Sequence, residues 1–110
     1  MKSYTDLEQS KKLAEILPLE SADMYYWCGE DLRIGGHRAM DKDLDIPCWS
    51  LAALLEEMNR NDYNIFLRNN ADLTWTISFN DSERYIDVYG DDPVDICFEM
   101  IIKLHKQNLL

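Results

Sequence analysis

The sequence contains few cysteines, and their spacing argues against a covalent or metal-bound scaffold. Cys28, Cys48 and Cys97 are an odd number, lie far apart and never form a C-x-x-C pair. A disulfide framework or a cysteine-rich zinc site needs paired or closely spaced thiols, so neither is predicted. Residues 1–9 are polar and lack the apolar stretch of a signal peptide or membrane span. These features predict a cytoplasmic protein whose cysteines are reduced, small, buried hydrophobes.

Basic residues are also scarce. The chain has 11 lysines and arginines against 21 aspartates and glutamates, which leaves a formal net charge of −10. Binding to nucleic acid by phosphate neutralisation and docking on anionic lipid both need a basic surface, so neither is expected. The acidic surplus favours a basic protein partner and keeps the chain soluble.

Glycine and proline are too rare for a linker, a collagen-like chain or a disordered tail. The chain has 4 glycines, 3 prolines and 46% hydrophobic residues, which is an ordinary globular composition. A chain of 110 residues buries roughly two-thirds of its extended surface on folding, which is enough for one core. We therefore expect a single domain over residues 1–110.

The first half of the chain predicts a helix, a strand and a long loop. Thr5 and Glu8 have the spacing of a capping box, and the apolar residues that follow predict a helix over residues 6–17. Residues 24–28 are rich in aromatic side chains, which favours a strand. Residues 33–45 have no sustained period, so they are predicted as the longest loop.

Two further helices are predicted from their first residues. Ser50 has the position of an N-cap before a strongly helical run, and Trp49 and Leu54 have the spacing of a hydrophobic staple. Asp92 and Pro93 are the capping residue and first residue of the last helix, where the missing amide of proline is tolerated.

Between these helices the period of the sequence is two. Apolar and polar residues alternate in three segments, separated by turn-forming residues at 69–72 and 80–83. This pattern predicts an antiparallel meander with one face on the core and the other in water. The expected fold is α+β: a three-strand meander plus an N-terminal strand region, packed with about three helices. The predicted inward positions are Tyr63, Ile65, Leu67, Leu73, Trp75, Ile77, Phe79, Ile86 and Val88.

Four segments carry a resemblance. YT with EQSKKL near the start, SADMYY, DIPCWSL with LLE, and PVDICFEMIIKL near the end resemble a family of short proteins from gut Bacteroidetes genomes and their phages or mobile elements. The resemblance spans nearly the whole chain and is weakest over residues 33–43. That family has no assigned activity or ligand. The resemblance therefore implies a setting, a bacterial cytoplasm and a phage or mobile-element cargo gene, and no site.

Signatures of catalysis and cofactor binding are missing from the sequence. It contains no P-loop, G-x-G-x-x-G, H-E-x-x-H or G-x-S-x-G, so no catalytic, cofactor-binding or metal-binding residue is predicted. Asp41, Asp43 and Asp45 imitate the start of a calcium loop, but Ile46 and Ala52 stand where that loop needs glycine and a bidentate glutamate. A solvated acidic loop is favoured.

One enzymatic alternative is kept. A small metal- or thiol-dependent enzyme would use residues 35–48, with His37 and either Cys48 or Asp41 as base and nucleophile or as metal ligands. Convergence of these groups in one pocket would distinguish it from a binding module.

Aromatic residues are the more informative surplus. Six tyrosines and three tryptophans exceed what one thin core needs, and such rings supply much of the binding energy at protein interfaces. We therefore expect a small acidic module that binds a basic protein through aromatic contacts. Its action on a basic host protein follows from the mobile-element setting, and self-association through the same rings is the related alternative. The predicted partner-binding residues are Tyr25, Trp27, Tyr85, Asp87, Tyr89 and Asp91.

Overall fold

A computed structural model describes residues 1–60 and 64–110. Within these residues the chain forms three α-helices and two antiparallel sheets of three strands each, so the predicted α+β class is confirmed. Short 3-10 turns lie at Leu19–Ser21 and His37–Ala39. The helices are α1 (Leu7–Ala14), α2 (Leu51–Asn59) and α3 (Pro93–Lys106), and the strands are β1 (Met24–Trp27), β2 (Asp31–Ile34), β3 (Ile46–Cys48), β4 (Asn64–Asn69), β5 (Trp75–Asn80) and β6 (Tyr85–Gly90).

The predicted meander is confirmed as the sheet of order β4-β5-β6. Its register pairs Leu67 with Ile77 and Ile77 with Val88, so apolar residues meet across all three strands on one face. This agreement follows from the period of two, since side chains two residues apart on a strand share a face. The predicted inward Tyr63 lies outside the described residues.

The inner face of this sheet forms the main core with α2 and α3. Ile77 and Phe79 are fully buried, as are Met100 and Ile101 of α3, and all four belong to the same apolar cluster. Each such side chain contributes roughly 1.5–3 kcal/mol through burial. Gly90 ends β6 beneath α3, where a Cβ atom would lie 2.9 Å from Ile96, so no larger residue fits there without a shift.

Leu73 departs from the predicted alternation. It was expected to point inward at the start of the second meander strand, but it lies in the turn before β5 with 82% of its surface exposed. Its φ is +69°, and its amide donates to the Asn70 carbonyl at 3.1 Å. The turn requires a left-handed backbone conformation at this position. A leucine gives no sign of that conformation in the sequence, because non-glycine residues rarely adopt it.

The predicted long loop is partly wrong. Arg33 and Ile34 belong to β2, and β2 and β3 flank β1 in a second sheet of order β2-β1-β3. A turn at Cys28 and Gly29, with φ of 51° and 74°, reverses the chain between β1 and β2. The prediction that all three cysteines are buried is therefore wrong for Cys28, which is exposed in this turn. The predicted strand at 24–28 is confirmed in β1, whereas these neighbours are too short to show a period of their own.

The start of α1 also differs from the prediction. Asp6, and not Thr5, is the N-cap, and it forms a capping box with Gln9. Thr5 is fully buried: its hydroxyl is 2.8 Å from that of Ser10 and accepts the Trp49 amide at 3.2 Å. Because the Thr5 hydroxyl forms these hydrogen bonds in the core, Asp6 caps the helix instead. The helix ends at Ala14, three residues short of the predicted end at 17.

The other two helix starts are confirmed. The Ser50 hydroxyl accepts the Ala53 amide at 3.1 Å, and the Asp92 carboxylate accepts the Val94 amide at 2.9 Å. Trp49 is fully buried, as its staple position predicts. Among the described residues, no helix is long and apolar enough to cross a lipid bilayer.

Candidate functional site

The face of the β4-β5-β6 sheet that points away from the helices is the candidate site, and we call it the open face. Alternation and register place nine side chains on it, three from each strand. Three large aromatic side chains keep 62–63% of their surface exposed there. The open face consists of Asn64, Phe66 and Arg68 from β4, Thr76, Ser78 and Asn80 from β5, and Tyr85, Asp87 and Tyr89 from β6.

The central strand contributes small side chains to the open face, whereas the largest side chains come from the two outer strands. Thr76 and Ser78 of the central strand are only 6% and 7% exposed, although they lie on the face away from the helices. Neighbouring strands are about 4.8 Å apart, so the side chains of β4 and β6 stand roughly 10 Å apart across this strand. The Asn70 side-chain amide donates to Thr76 at 2.9 Å and the Ser78 hydroxyl donates to Asp87 at 2.6 Å, so longer neighbouring side chains contact these two short ones. Short, buried side chains therefore separate Phe66 of β4 from Tyr85 and Tyr89 of β6.

Asp87 is the acidic group among the nine residues of the open face. The Ser78 hydroxyl donates to its Oδ1 atom at 2.6 Å, across the β5–β6 pairing. Asp87 is exposed, and the rings of Tyr85 and Tyr89 lie two residues before and after it on the same strand face. The site therefore combines a held carboxylate with two amphipathic rings.

A hydrogen-bonded turn borders one end of the open face. The Asn70 side-chain amide donates to Thr76 at 2.9 Å and to Thr74 at 3.1 Å. Its carbonyl oxygen accepts the Arg68 guanidinium at 3.3 Å. Hydrogen bonds from the Thr74 side chain and amide lower the pKa of Asp72. These contacts hold the one arginine of the open face at the β4 corner, away from Asp87.

The other predicted aromatic surface lies on the second sheet, where residues of the same chain already contact part of it. Trp27 is 48% exposed, and the Arg33 guanidinium lies 5.3 Å from the centroid of its ring. Tyr25 is half-buried and packs close to Gly35. Tyr26, on the opposite face, donates its hydroxyl to the Thr5 carbonyl at 2.7 Å, and burial raises its pKa to about 12. Of the predicted partner-binding residues, Tyr25 and Trp27 therefore lie on one sheet, and Tyr85, Asp87 and Tyr89 lie on the other.

Several carboxylates near β6 serve the fold. Asp81 accepts two backbone amides, at 2.7 and 2.6 Å, in the turn before β6. Asp92 caps α3, and Asp95 accepts the Lys2 ammonium at 2.8 Å. Asp91 follows β6 directly and is exposed. Of the predicted partner-binding acids, Asp87 lies on the open face and Asp91 lies just beyond its edge.

The residues of the enzymatic alternative also have structural partners. Cys48 is fully buried, its thiol donates to the Thr5 carbonyl at 3.3 Å, and burial raises its pKa. Asp45 accepts the amides of Cys28 and Asp41 at 2.8 and 2.9 Å. No hydrogen bond joins His37 to Cys48 in the described part of the chain. Within residues 1–60 and 64–110, no three His, Cys, Asp or Glu side chains are grouped to hold a metal ion.

A cavity of about 230 Å³ lies between the first 3-10 turn and α2. Glu57 is 6% exposed and pairs with Arg60 at 3.3 Å, and Asp23 accepts the Ser50 amide at 2.9 Å. These carboxylates are therefore engaged within the fold. The acidic lining consists of Glu20, Asp23, Glu56 and Glu57.

Sequence reasoning missed two features of the site. Phe66 has the outward parity of Asn64 and Arg68, so an apolar residue out of phase on β4 was the available signal. The contact of Arg33 with Trp27 had no such signal, because it depends on the β1–β2 pairing.

Comparison of the chain with protein-family models, with curated proteins and with solved structures finds no match. The resemblance to proteins of Bacteroidetes and their mobile elements stays a prediction.

Proposed function

We propose that this protein is a small acidic module that binds a basic protein partner through its open face. One observation carries the proposal. Phe66, Tyr85 and Tyr89 expose 62–63% of their surfaces on one sheet face while the helices cover the other. Aromatic rings gathered around a polar group are typical of protein-binding surfaces.

The charge of the chain supports a basic partner. The formal net charge is −10, and the open face presents Asp87 on its β6 side. A surplus of this size accelerates encounter with a positively charged protein and repels acidic ones. Salt weakens such steering because it screens exposed charges.

The resemblance to phage and mobile-element proteins supports a basic host protein as the partner. DNA-binding proteins carry the positive surface that an acidic module recognises. On this proposal the module covers part of that surface in the bacterial cytoplasm. The three unpaired cysteines are consistent with a reducing compartment.

The test is capture from a bacterial lysate with three baits: the wild type, a triple variant of the open face, and a control. The triple variant replaces Phe66, Tyr85 and Tyr89 by serine. The control replaces Tyr4 by serine, because Tyr4 is 37% exposed and lies outside the open face. A captured protein is then purified and titrated in solution. We expect a basic protein that binds the wild type and the control saturably, loses affinity for the triple variant and loses affinity in high salt.

Two results would contradict the proposal. Equal binding of the triple variant and the wild type would remove the open face from the interface. Failure to retain any saturable partner at low salt would count against the binding function itself.

A further inference from the structure

We infer that Tyr85, Asp87 and Tyr89 of the open face form a receptor for one arginine side chain of the partner, an inference that rests on the proposed function. Side chains two residues apart on a strand are about 6.7 Å apart. A guanidinium group bound to the Asp87 carboxylate therefore has a tyrosine on each side of it along the strand, and a ring that leans toward it by about 1 Å brings the two within the roughly 6 Å over which cation–π attraction acts.

Asp87 is oriented before any ligand arrives. The Ser78 hydroxyl donates to Oδ1 at 2.6 Å, and Ser78 is itself 7% exposed, so its position is fixed by the sheet. In the described part of the chain no group bonds to Oδ2. That oxygen is available to a donor from outside, and a carboxylate already held in place loses little freedom on binding.

The chain already contains one guanidinium packed against an aromatic ring. Arg33 lies 5.3 Å from the Trp27 ring centroid, where the pairing of β1 with β2 brings them together. On β6, within the described residues, neither tyrosine ring has such a cation from its own chain. The β6 row therefore offers the ring partners of a guanidinium and the carboxylate, and lacks only the cation.

Arginine fits this row better than lysine does. Its planar guanidinium can stack on a tyrosine ring while its N–H groups bond to a carboxylate, whereas the lysine ammonium is a compact, strongly hydrated point charge. A second copy of this chain is a poor source of that arginine, because each copy carries a net charge of −10 and the two copies repel. The occupant is therefore an arginine-bearing segment of a different, basic protein.

The experiment titrates the intact protein with two peptides that differ only in having arginine or lysine at the same positions. Amide NMR shifts report both the affinity and the surface that is contacted. We expect shifts over the open face and a twofold to fivefold preference for the arginine peptide, roughly the size of one exposed cation–π contact.

Substitutions in the receptor then distinguish a specific arginine site from general electrostatic attraction. We expect Asp87→Asn to weaken the arginine peptide by about tenfold, the lower range for a hydrogen bond to a charged group. Replacing Tyr85 and Tyr89 by leucine should abolish the preference for arginine, and phenylalanine should restore it because the ring remains. The control is Glu99→Gln, which removes the same charge from an exposed position on α3.

Each outcome decides something about the two proposals. Equal binding of the two peptides, with Asp87→Asn no weaker than Glu99→Gln, would overturn the arginine receptor. If the shifts still cover the open face, the proposed function would survive that result. Shifts elsewhere on the protein, or no shifts with either peptide, would overturn the receptor and count against the open face as a basic-protein site.

Discussion

Replacing Phe79 and Phe66 separately by alanine tests which face of the β4-β5-β6 sheet is buried. The two phenylalanines lie on neighbouring strands and point to opposite faces. Phe79 is fully buried and Phe66 is 63% exposed. The same substitution therefore samples the core and the open face within one sheet.

The expected losses differ severalfold. Phe79→Ala removes a ring from a packed core and leaves a cavity, which lowers the free energy of unfolding by about 3–5 kcal/mol. Phe66 has only about a third of its surface buried, so Phe66→Ala should lower it by about 1 kcal/mol. With a urea m-value of about 1.5 kcal/mol/M, the midpoints fall by roughly 2–3 M and by less than about 1 M.

Urea denaturation followed by circular dichroism measures both losses. Because Phe79→Ala removes a large share of the roughly 5–15 kcal/mol that stabilises a domain, the milder pair Phe79→Leu and Phe66→Leu provides a second comparison. Equal losses at the two positions would refute the assignment of the open face. A loss at Phe66 that grows with protein concentration would indicate that a second copy covers the face.

Three further predictions concern the cysteines, the acidic loop and the response to acid. In the native protein a thiol reagent should modify Cys28 alone, because Cys48 and Cys97 are buried and burial raises the pKa of Cys97 to about 12; fast labelling of all three thiols would contradict the packing. Asp45→Ala should lower the free energy of unfolding by about 1–3 kcal/mol, because two backbone amides lose their acceptor. Calcium should not change the thermal midpoint of either form, and stabilisation of the wild type by calcium would contradict this role. The Gln9 amide, followed by Lys2, lowers the pKa of Asp6. Asp6 therefore contributes to the stability of the fold at pH values above its unfolded pKa of about 3.9, and this contribution is lost as the pH falls through its lower pKa in the folded protein. The stability difference between wild type and Asp6→Asn should accordingly shrink in acid unfolding curves.

The open face was predictable because strand parity is a local property. The outward assignment of Tyr85 and Tyr89 needs only the alternation with Ile86 and Val88, and both tyrosines are more than 60% exposed. Phe66 obeys the same parity. The burial of two polar residues of the open face, Thr76 and Ser78, could not be predicted, because their side chains contact Asn70 and Asp87, which lie outside β5.

At the start of α1, two pairs of residues satisfy the same capping-box pattern. Thr5 with Glu8 and Asp6 with Gln9 both have capping-box spacing, and their intrinsic preferences are similar. The contact with Trp49, more than forty positions away, buries Thr5 and leaves the cap to Asp6.

The amino-acid sequence by itself determined the acidic charge, the meander with its inward and outward faces, and the first residues of α2 and α3. Charge is a sum, alternation is a property of one strand, and a cap involves residues within a single turn, so none of these needs a distant partner. The tertiary structure alone decided the sheet β2-β1-β3, the contact of Arg33 with Trp27, and the separation of Tyr25 and Trp27 from Tyr85, Asp87 and Tyr89 on two different sheets. Each of these requires pairing between strands, which a short strand without a period does not encode locally.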